Sequence, residues 1–412
     1  MKPILMMAFR NLGRNFRRSL ITLVSISLGV AVILWLQCIL SGSNQNIIDS
    51  VTGTHGGHLQ IYQKDYLPEY PLAKVFPEVP AVVKSLPERV AGYSPRVSLS
   101  ALASTGEASS PLRLVGVDPV LEGRTFSPAK SKVAGEYLGV DDSPDCAGKQ
   151  IYLGRTLANT LKTSVGGKVV ILAQALDGTL GNELFRVKGI FDSGSPEFDK
   201  GVAFTTLNCA RRVGAVEGFH EIAIQLARSS DISTVQAALR KDLDPQLSLT
   251  TWREAMPFVS GIVNFNNATL VLIGVMLSVL ITLGAVDTLL VSVFERTREF
   301  GLMIALGTQP RQVILMVLFE AALLGLLSIA LGSLLGSLAV LYHQQVGFDV
   351  RLLLGKELDV GSFRVVTLVR PSFNLILFFK MMGSMMGFML LAALYPAFRA
   401  AGLNPTEAMR SH

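Results

Sequence analysis

Hydropathy along the chain alternates between four long apolar stretches and one long stretch of ordinary mixed composition. Leu20 to Leu40 carries no charged residue, and at about 1.5 Å per residue it is long enough to cross roughly 30 Å of hydrocarbon. Three more apolar runs cover residues 265–294, 313–342 and 373–396, broken only by Asp287, Glu320 and Lys380 respectively. The pattern predicts transmembrane helices over 20–41, 265–294, 313–342 and 373–396. Ahead of the first, Ile4, Leu5, Ala8, Phe9, Leu12 and Phe16 recur at helical intervals with the arginines mostly elsewhere. That spacing predicts an amphipathic helix over 1–19 lying against the membrane surface. A cleavable signal sequence has an apolar core of roughly 7–15 residues and a small-residue cleavage site; the first span is longer and lacks such a site. Gln37, next to Cys38, also fails the small-residue requirement of a lipid-attachment signal.

Charge placement orients these spans. Lys2, Arg10, Arg14, Arg17 and Arg18 precede the first with no acidic residue among them, and the positive-inside bias puts this end in the cytoplasm. Four crossings then return the tail, 397–412, to the cytoplasm. The loop 295–312 lies on the same side with Arg296, Arg298 and Arg311, and the tail carries Arg399 and Arg410. Residues 343–372 face outward. Composition agrees: of 412 residues, 50% are hydrophobic and only 17% charged, against roughly 25% in soluble domains, with mean hydropathy +0.45. In the third span Ser328, Gly332 and Gly336 form a row of small residues, with Ala321 and Gly325 beside it; Gly383 and Gly387 repeat the spacing in the fourth. Such rows predict close helix packing in lipid. Asp287 and Lys380 lie within reach of interfacial water, whereas Glu320 is deeper and must face other helices or a wet cavity.

Residues 42–264 have soluble composition and read as an α+β domain inserted between the first two spans. Short alternating segments predict strands at Gly57–Tyr62, Leu112–Val117, Lys168–Ala173, Phe185–Phe191 and Glu221–Leu226. Helical patterns fall at Thr156–Leu161 and Ile232–Leu239. The run Pro68, Pro71, Pro77, Pro80 and Pro87 reads as irregular surface chain. Cys146 and Cys209 can pair if the domain lies in an oxidising compartment, and sequence leaves both states open.

No catalytic constellation emerges. His55 and His58 occupy a Gly-rich turn without a partnered cysteine or carboxylate cluster, so no metal site is expected. Ser164–Lys168 (SVGGK) lacks the first glycine of a phosphate loop, and Val169 stands where Ser or Thr is required. With no Walker A sequence, the chain is not expected to hydrolyse ATP or to hold a cofactor itself. No nucleic-acid partner is expected.

The stretch from Phe294 to Gly307, FERTREFGLMIALG, followed by Thr308–Gln312, resembles the signature of FtsX-like ABC permeases. Tyr395–Arg410 is similar to that family's ending, and both fall where the charge pattern requires cytoplasm. The resemblance implies a short helix after the second span that docks on an ABC ATPase. Its residues would be Glu295, Arg296, Thr297, Arg298, Glu299, Phe300, Gly301 and Gly307. Glu295, Arg296, Arg298 and Glu299 then form a mixed-charge surface for the partner. Phe300, Ile304 and Leu306 anchor the helix to the bundle, and Gly301 and Gly307 permit close approach and termination.

Leu114–Pro119, Ile151–Ala158, Ser164–Lys168 and Phe185–Phe191 resemble the MacB-like periplasmic core domain shared by lipoprotein-releasing (LolC/LolE-type) and macrolide-exporter (MacB-type) permeases. Trp252 resembles the lipoprotein-releasing branch. The resemblance implies an inner-membrane permease subunit that couples a separate ATPase dimer to periplasmic movement, paired with a second permease chain and acting on a lipoprotein or other amphiphile. In that branch a periplasmic carrier docks on a hook; the corresponding tip, 174–183, is short for one. Alternatives within the resemblance are MacB-type export of peptides or drugs and FtsX-type signalling to a cell-wall hydrolase.

Overall fold

The computed structural model describes residues 16–67, 69–84, 89–140, 146–349, 359–360, 363–364 and 368–403. The expected amphipathic helix therefore lies almost wholly outside the described residues, as do Pro68, Pro87, about half of the loop 343–372 and the end of the tail. The chain forms two compact units: residues 1–45, 264–350 and 367–412, and residues 46–263 with 351–366.

Four helices, most of their length in the first unit, are long and apolar enough to cross a membrane: Ser19–Thr54, Pro257–Glu295, Pro310–Val346 and Leu375–Ala401. They cover the predicted spans except residues 373 and 374, and overrun most of their ends by several residues, because helix does not stop where hydrocarbon does. The last continues through Pro396 to Ala401. One apolar core joins all four, with Ile26 and Val30 of the first, Ala285 and Leu289 of the second, Ala321 and Leu324 of the third, and Met382, Met385 and Met389 of the fourth. The small-residue row of the third helix meets the first: a Cβ on Gly332 would stand 2.5 Å from the Ser27 carbonyl, and one on Gly336 3.0 Å from that of Ala31. Gly325 instead faces Met386 and Met389. The matching row in the fourth helix does not pack this way, since neither Gly383 nor Gly387 has a neighbour within 4 Å of a modest side chain. Asp287 and Lys380 are exposed, and Glu320 is buried.

The second unit is built on one mixed sheet of ten strands: β1 (Leu59–Gln63), β2 (Val90–Ser104), β3 (Ser109–Val117), β4 (Lys132–Gly135), β5 (Gln150–Gly154), β6 (Lys168–Gln174), β7 (Leu180–Phe191), β8 (Val202–Thr206), β9 (Glu221–Leu226) and β10 (Leu247–Thr251). Their order is β10-β1-β9-β2-β3-β8-β5-β7-β4, with β6 pairing β2 and β7. β3/β8 and β5/β7 are parallel and every other pair is antiparallel. Alternation decides the faces: Val169, Ile171 and Ala173 of β6 and Phe185, Val187 and Phe191 of β7 point inward, while Lys168, Gln174, Leu184 and Arg186 point out.

β2 escaped the sequence pattern because Pro95 and its serines hide the alternation. It is nonetheless the strand that holds the sheet together, pairing β3 along one edge and β9, then β6, along the other. The proline-bearing stretch is less superficial than expected. Phe76 and Val83 enter the core formed with Leu59, Ile61, Ile222 and Ile224, and Phe76 exchanges backbone hydrogen bonds with Phe219. Cys146 and Cys209 form a disulfide inside the main core, 63 residues apart in sequence. Cys38 is free and buried.

Candidate functional site

The long helix Pro257–Glu295 stops because Arg296 leaves helical geometry, with φ −109° and ψ 17°. A new helix, Thr297–Ala305, begins at once, and the Thr297 hydroxyl donates to the Phe294 carbonyl at 2.7 Å. Its end is a Schellman closure. The Gly307 N–H donates to Ile304 O and the Thr308 N–H to Met303 O, both at 3.0 Å, and Gly307 takes φ +93°, which glycine adopts without strain. Pro310 and a reciprocal Gln309–Gln312 cap then start the next long helix. Residues 295–312 thus form a tight helix–turn element with little freedom in its backbone.

One face of the short helix is anchored. Phe300 is 1% exposed and packs with Val293, Val313, Val317, Ala397 and Ala400, with Met303 and Ile304 alongside; Gly301 is also buried. The sequence reading placed Arg296 on the outward surface, and the structure turns it inward. Its guanidinium donates to Glu299 Oε2 at 3.1 Å and to Glu320 Oε2 at 3.2 Å, and it lies over the Phe300 ring at 5.2 Å. Glu320 therefore has a cation as its partner. A carboxylate at that depth needs one, because an unpaired charge among apolar helices is costly. Leu306, expected as an anchor, is 80% exposed. The outward face consists of Glu295, Arg298, Leu302, Ala305 and Leu306. Charge count alone did not separate Arg296 from Arg298. The signal that could have done so is the carboxylate at 320, which required a partner from a neighbouring element.

The other candidates resolve into structure. Nδ1 of His58 accepts from the Leu226 N–H at 3.2 Å, and its Nε2 bonds the Ser229 hydroxyl at 2.9 Å. His220 accepts from the Ser98 N–H and bonds Leu72 O. Burial pushes both imidazoles below their ordinary range. Both are core groups with satisfied rings, and among the described residues no three His, Cys, Asp or Glu side chains gather to hold a metal. Ser164–Lys168 is a turn into β6, with Gly166 at φ +86° donating to Val187 O. The tip between β6 and β7 is the short turn Ala175–Thr179, in which the Thr179 hydroxyl donates to Asp177 at 2.6 Å.

Residues 19–242 match the MacB-like periplasmic core domain, and residues 268–405 match the FtsX-like permease C-terminal region. The chain belongs to the MacB/FtsX-like family of ABC transporter permeases. The lipoprotein-releasing system transmembrane protein LolC of Xylella fastidiosa is 24% identical to this permease over 95% of the chain and 93% of the relative. The macrolide export ATP-binding/permease protein MacB of Escherichia coli K12 is 24% identical over 98% of the chain, which spans 60% of that relative. Among solved structures, the periplasmic region of MacB from Actinobacillus actinomycetemcomitans is 12% identical, covers 50% of the permease and 94% of its own chain, and superposes with a TM-score of 0.34. The extracellular domain of YknZ from Gram-positive bacteria is 14% identical, covers 47% and 100%, and has a TM-score of 0.32. The segment 294–307, singled out from its residues, lies inside the FtsX-like match.

Proposed function

We propose that this permease transmits ATP hydrolysis on a separate ABC ATPase dimer into movement of its inserted domain, with the outward face of Thr297–Ala305 as the docking surface. The observation that carries the reading is the division of that helix. Phe300, Gly301 and Arg296 hold it to the long helices, while Arg298, Leu302 and Leu306 stand free for a soluble partner. A docked helix so anchored moves the spans with it. The termini and residues 295–312 then lie in the cytoplasm and the inserted domain in the periplasm of an inner membrane. The Cys146–Cys209 disulfide supports an oxidising compartment for that domain. Two ATPase subunits require two permease chains, a homodimer or a related pair.

The cargo we propose is a lipoprotein drawn from the outer leaflet, supported by the full-length likeness to LolC. Export of peptides or drugs is the second reading, supported by the equally continuous likeness to MacB. Arg298→Glu and Leu306→Asp should each reduce co-purification with the ATPase by tenfold or more while the thermal midpoint of the permease stays in place. Unchanged recovery and unchanged ATPase coupling in both variants would overturn the docking assignment.

A further inference from the structure

β2 changes partner along one edge. Its pairing with β9 ends at Arg96↔Glu221, and its pairing with β6 begins at Ala101↔Ala173. Between these points no strand covers that edge, and the His220 ring takes the Ser98 N–H instead. The gap opens into a cavity of about 590 Å³, walled by Tyr66, by Glu69–Ala73, by Ser98–Ser100, by Arg113 of β3 and by the β6–β7 turn. This volume falls in the roughly 300–1,000 Å³ range of small-molecule sites.

Two donor-bearing side chains that line this space have no hydrogen-bond partner among the described residues. Tyr66 is 1% exposed, yet its hydroxyl has no hydrogen-bond partner among the described residues, although buried polar groups are rarely left so. Burial pushes its ionisation up, so it remains an O–H donor, and it lies in the field of Arg113 and Glu221. Arg113 is the cation among the lining residues and has neither ion pair nor hydrogen bond among the described residues. Glu221, which lines a neighbouring cleft with Arg113, is already taken by Arg96 at 3.1 Å. The remaining lining carboxylate, Glu69, is exposed. Tyr70, Pro71, Leu72, Leu99 and Leu176 add apolar and aromatic wall, and Ser98, Ser100 and Gln174 add uncharged polar wall.

We propose that this cavity binds an organic anion, a carboxylate or phosphate ester on an apolar body, with the Arg113 guanidinium and the Tyr66 hydroxyl as its donors. The guanidinium fork matches two oxygens of such a group, the phenol supplies a third contact, and the leucines and Tyr70 enclose the body. The site belongs to the inserted domain alone and does not depend on the ATPase-docking reading.

Titration calorimetry on the full chain in nanodiscs tests it with three soluble probes: N-acetyl-leucyl-leucine, hexyl phosphate and the neutral N-acetyl-leucine amide. One or both anions should bind at least tenfold more tightly than the amide, and the preferred one identifies a carboxylate or a phosphate source. Arg113→Gln should weaken that binding by roughly tenfold or more, and Tyr66→Phe, which keeps the ring in place, by roughly threefold to thirtyfold. Absence of anion binding up to the probes' solubility, equal binding of the amide, or affinity untouched by both substitutions would each overturn the proposal. Tyr66→Phe removes only an oxygen that bonds nothing, so its thermal midpoint should match the parent chain and its binding result stands without a folding defect.

Discussion

At the scale of single residues, charge means little until its partner is known. Arg296 and Arg298 sit two positions apart in a segment that reads as uniformly polar, yet one closes an internal pair with Glu320 and the other faces outward. Removing one member of a buried pair strands the other, at a cost of about 3–5 kcal/mol. Glu320→Ala should therefore lower the thermal midpoint of the detergent-solubilised permease markedly, and the paired substitution Glu320→Leu with Arg296→Met should restore most of it. A melt of the single variant equal to that of the parent would show that the pair contributes nothing. The segment itself was legible from sequence because it is local. The inward turn of Arg296 was not, since it depends on a side chain 24 positions later on another helix. Leu306 misled for a similar reason. Its apolar character suits both an anchor and an exposed contact, and only the phase of the short helix tells them apart.

At the scale of elements, the inserted domain is held by contacts that join distant strands. The disulfide constrains the unfolded chain across 63 residues, which by loop-closure entropy is worth roughly 4 kcal/mol. Cys146→Ser together with Cys209→Ser should lower the midpoint of the domain's unfolding, and reductant should lower that of the parent chain but not of the double variant. Asp199 supplies a pH term. Burial first, opposed by hydrogen bonds from Ser193, and then the charge of Asp192 hold it at about 6 rather than 3.8. The folded state thus keeps a proton that the unfolded chain has already released, and stability falls as pH rises from about 4 to 6, by about 3 kcal/mol at most. The unfolding midpoint should be lower at pH 7 than at pH 5, and Asp199→Asn should flatten this difference; a parent chain without the slope would contradict the assignment. Strands with clean alternation, such as β6, β7 and β9, were readable in advance. β2 was not, because Ser94–Leu99 are buried on both faces and include a proline at 95, so no alternation shows.

At the scale of the whole molecule, the span count and the inserted α+β domain followed from hydropathy and composition, properties that sum over many residues and tolerate local exceptions. Which helices pack together did not follow. The row Gly332–Gly336 finds the first long helix, while the same spacing at Gly383–Gly387 finds nothing in this chain. Two chains per assembly are part of the proposed mechanism, and native mass spectrometry from membranes should show two copies of this chain, or one copy and a relative, with two ATPase subunits. A single permease chain bound to active ATPase would refute that stoichiometry. The same spectra should contain an acylated protein if the cargo is a lipoprotein.

β1 lies between β9 and β10, strands whose residues come roughly 160 and 190 positions later in the chain. Nearly the whole domain must therefore be synthesised before its first strand has a partner. Until Leu226 has emerged, Leu59 and Ile61 have no strand to pair with, and until Thr251 has emerged the second edge of β1 stays open. Biogenesis of this permease is thus timed by its late strands, and a ribosome pause placed shortly before residue 221 would leave more of the chain to proteases or chaperones than one placed shortly after the second long helix.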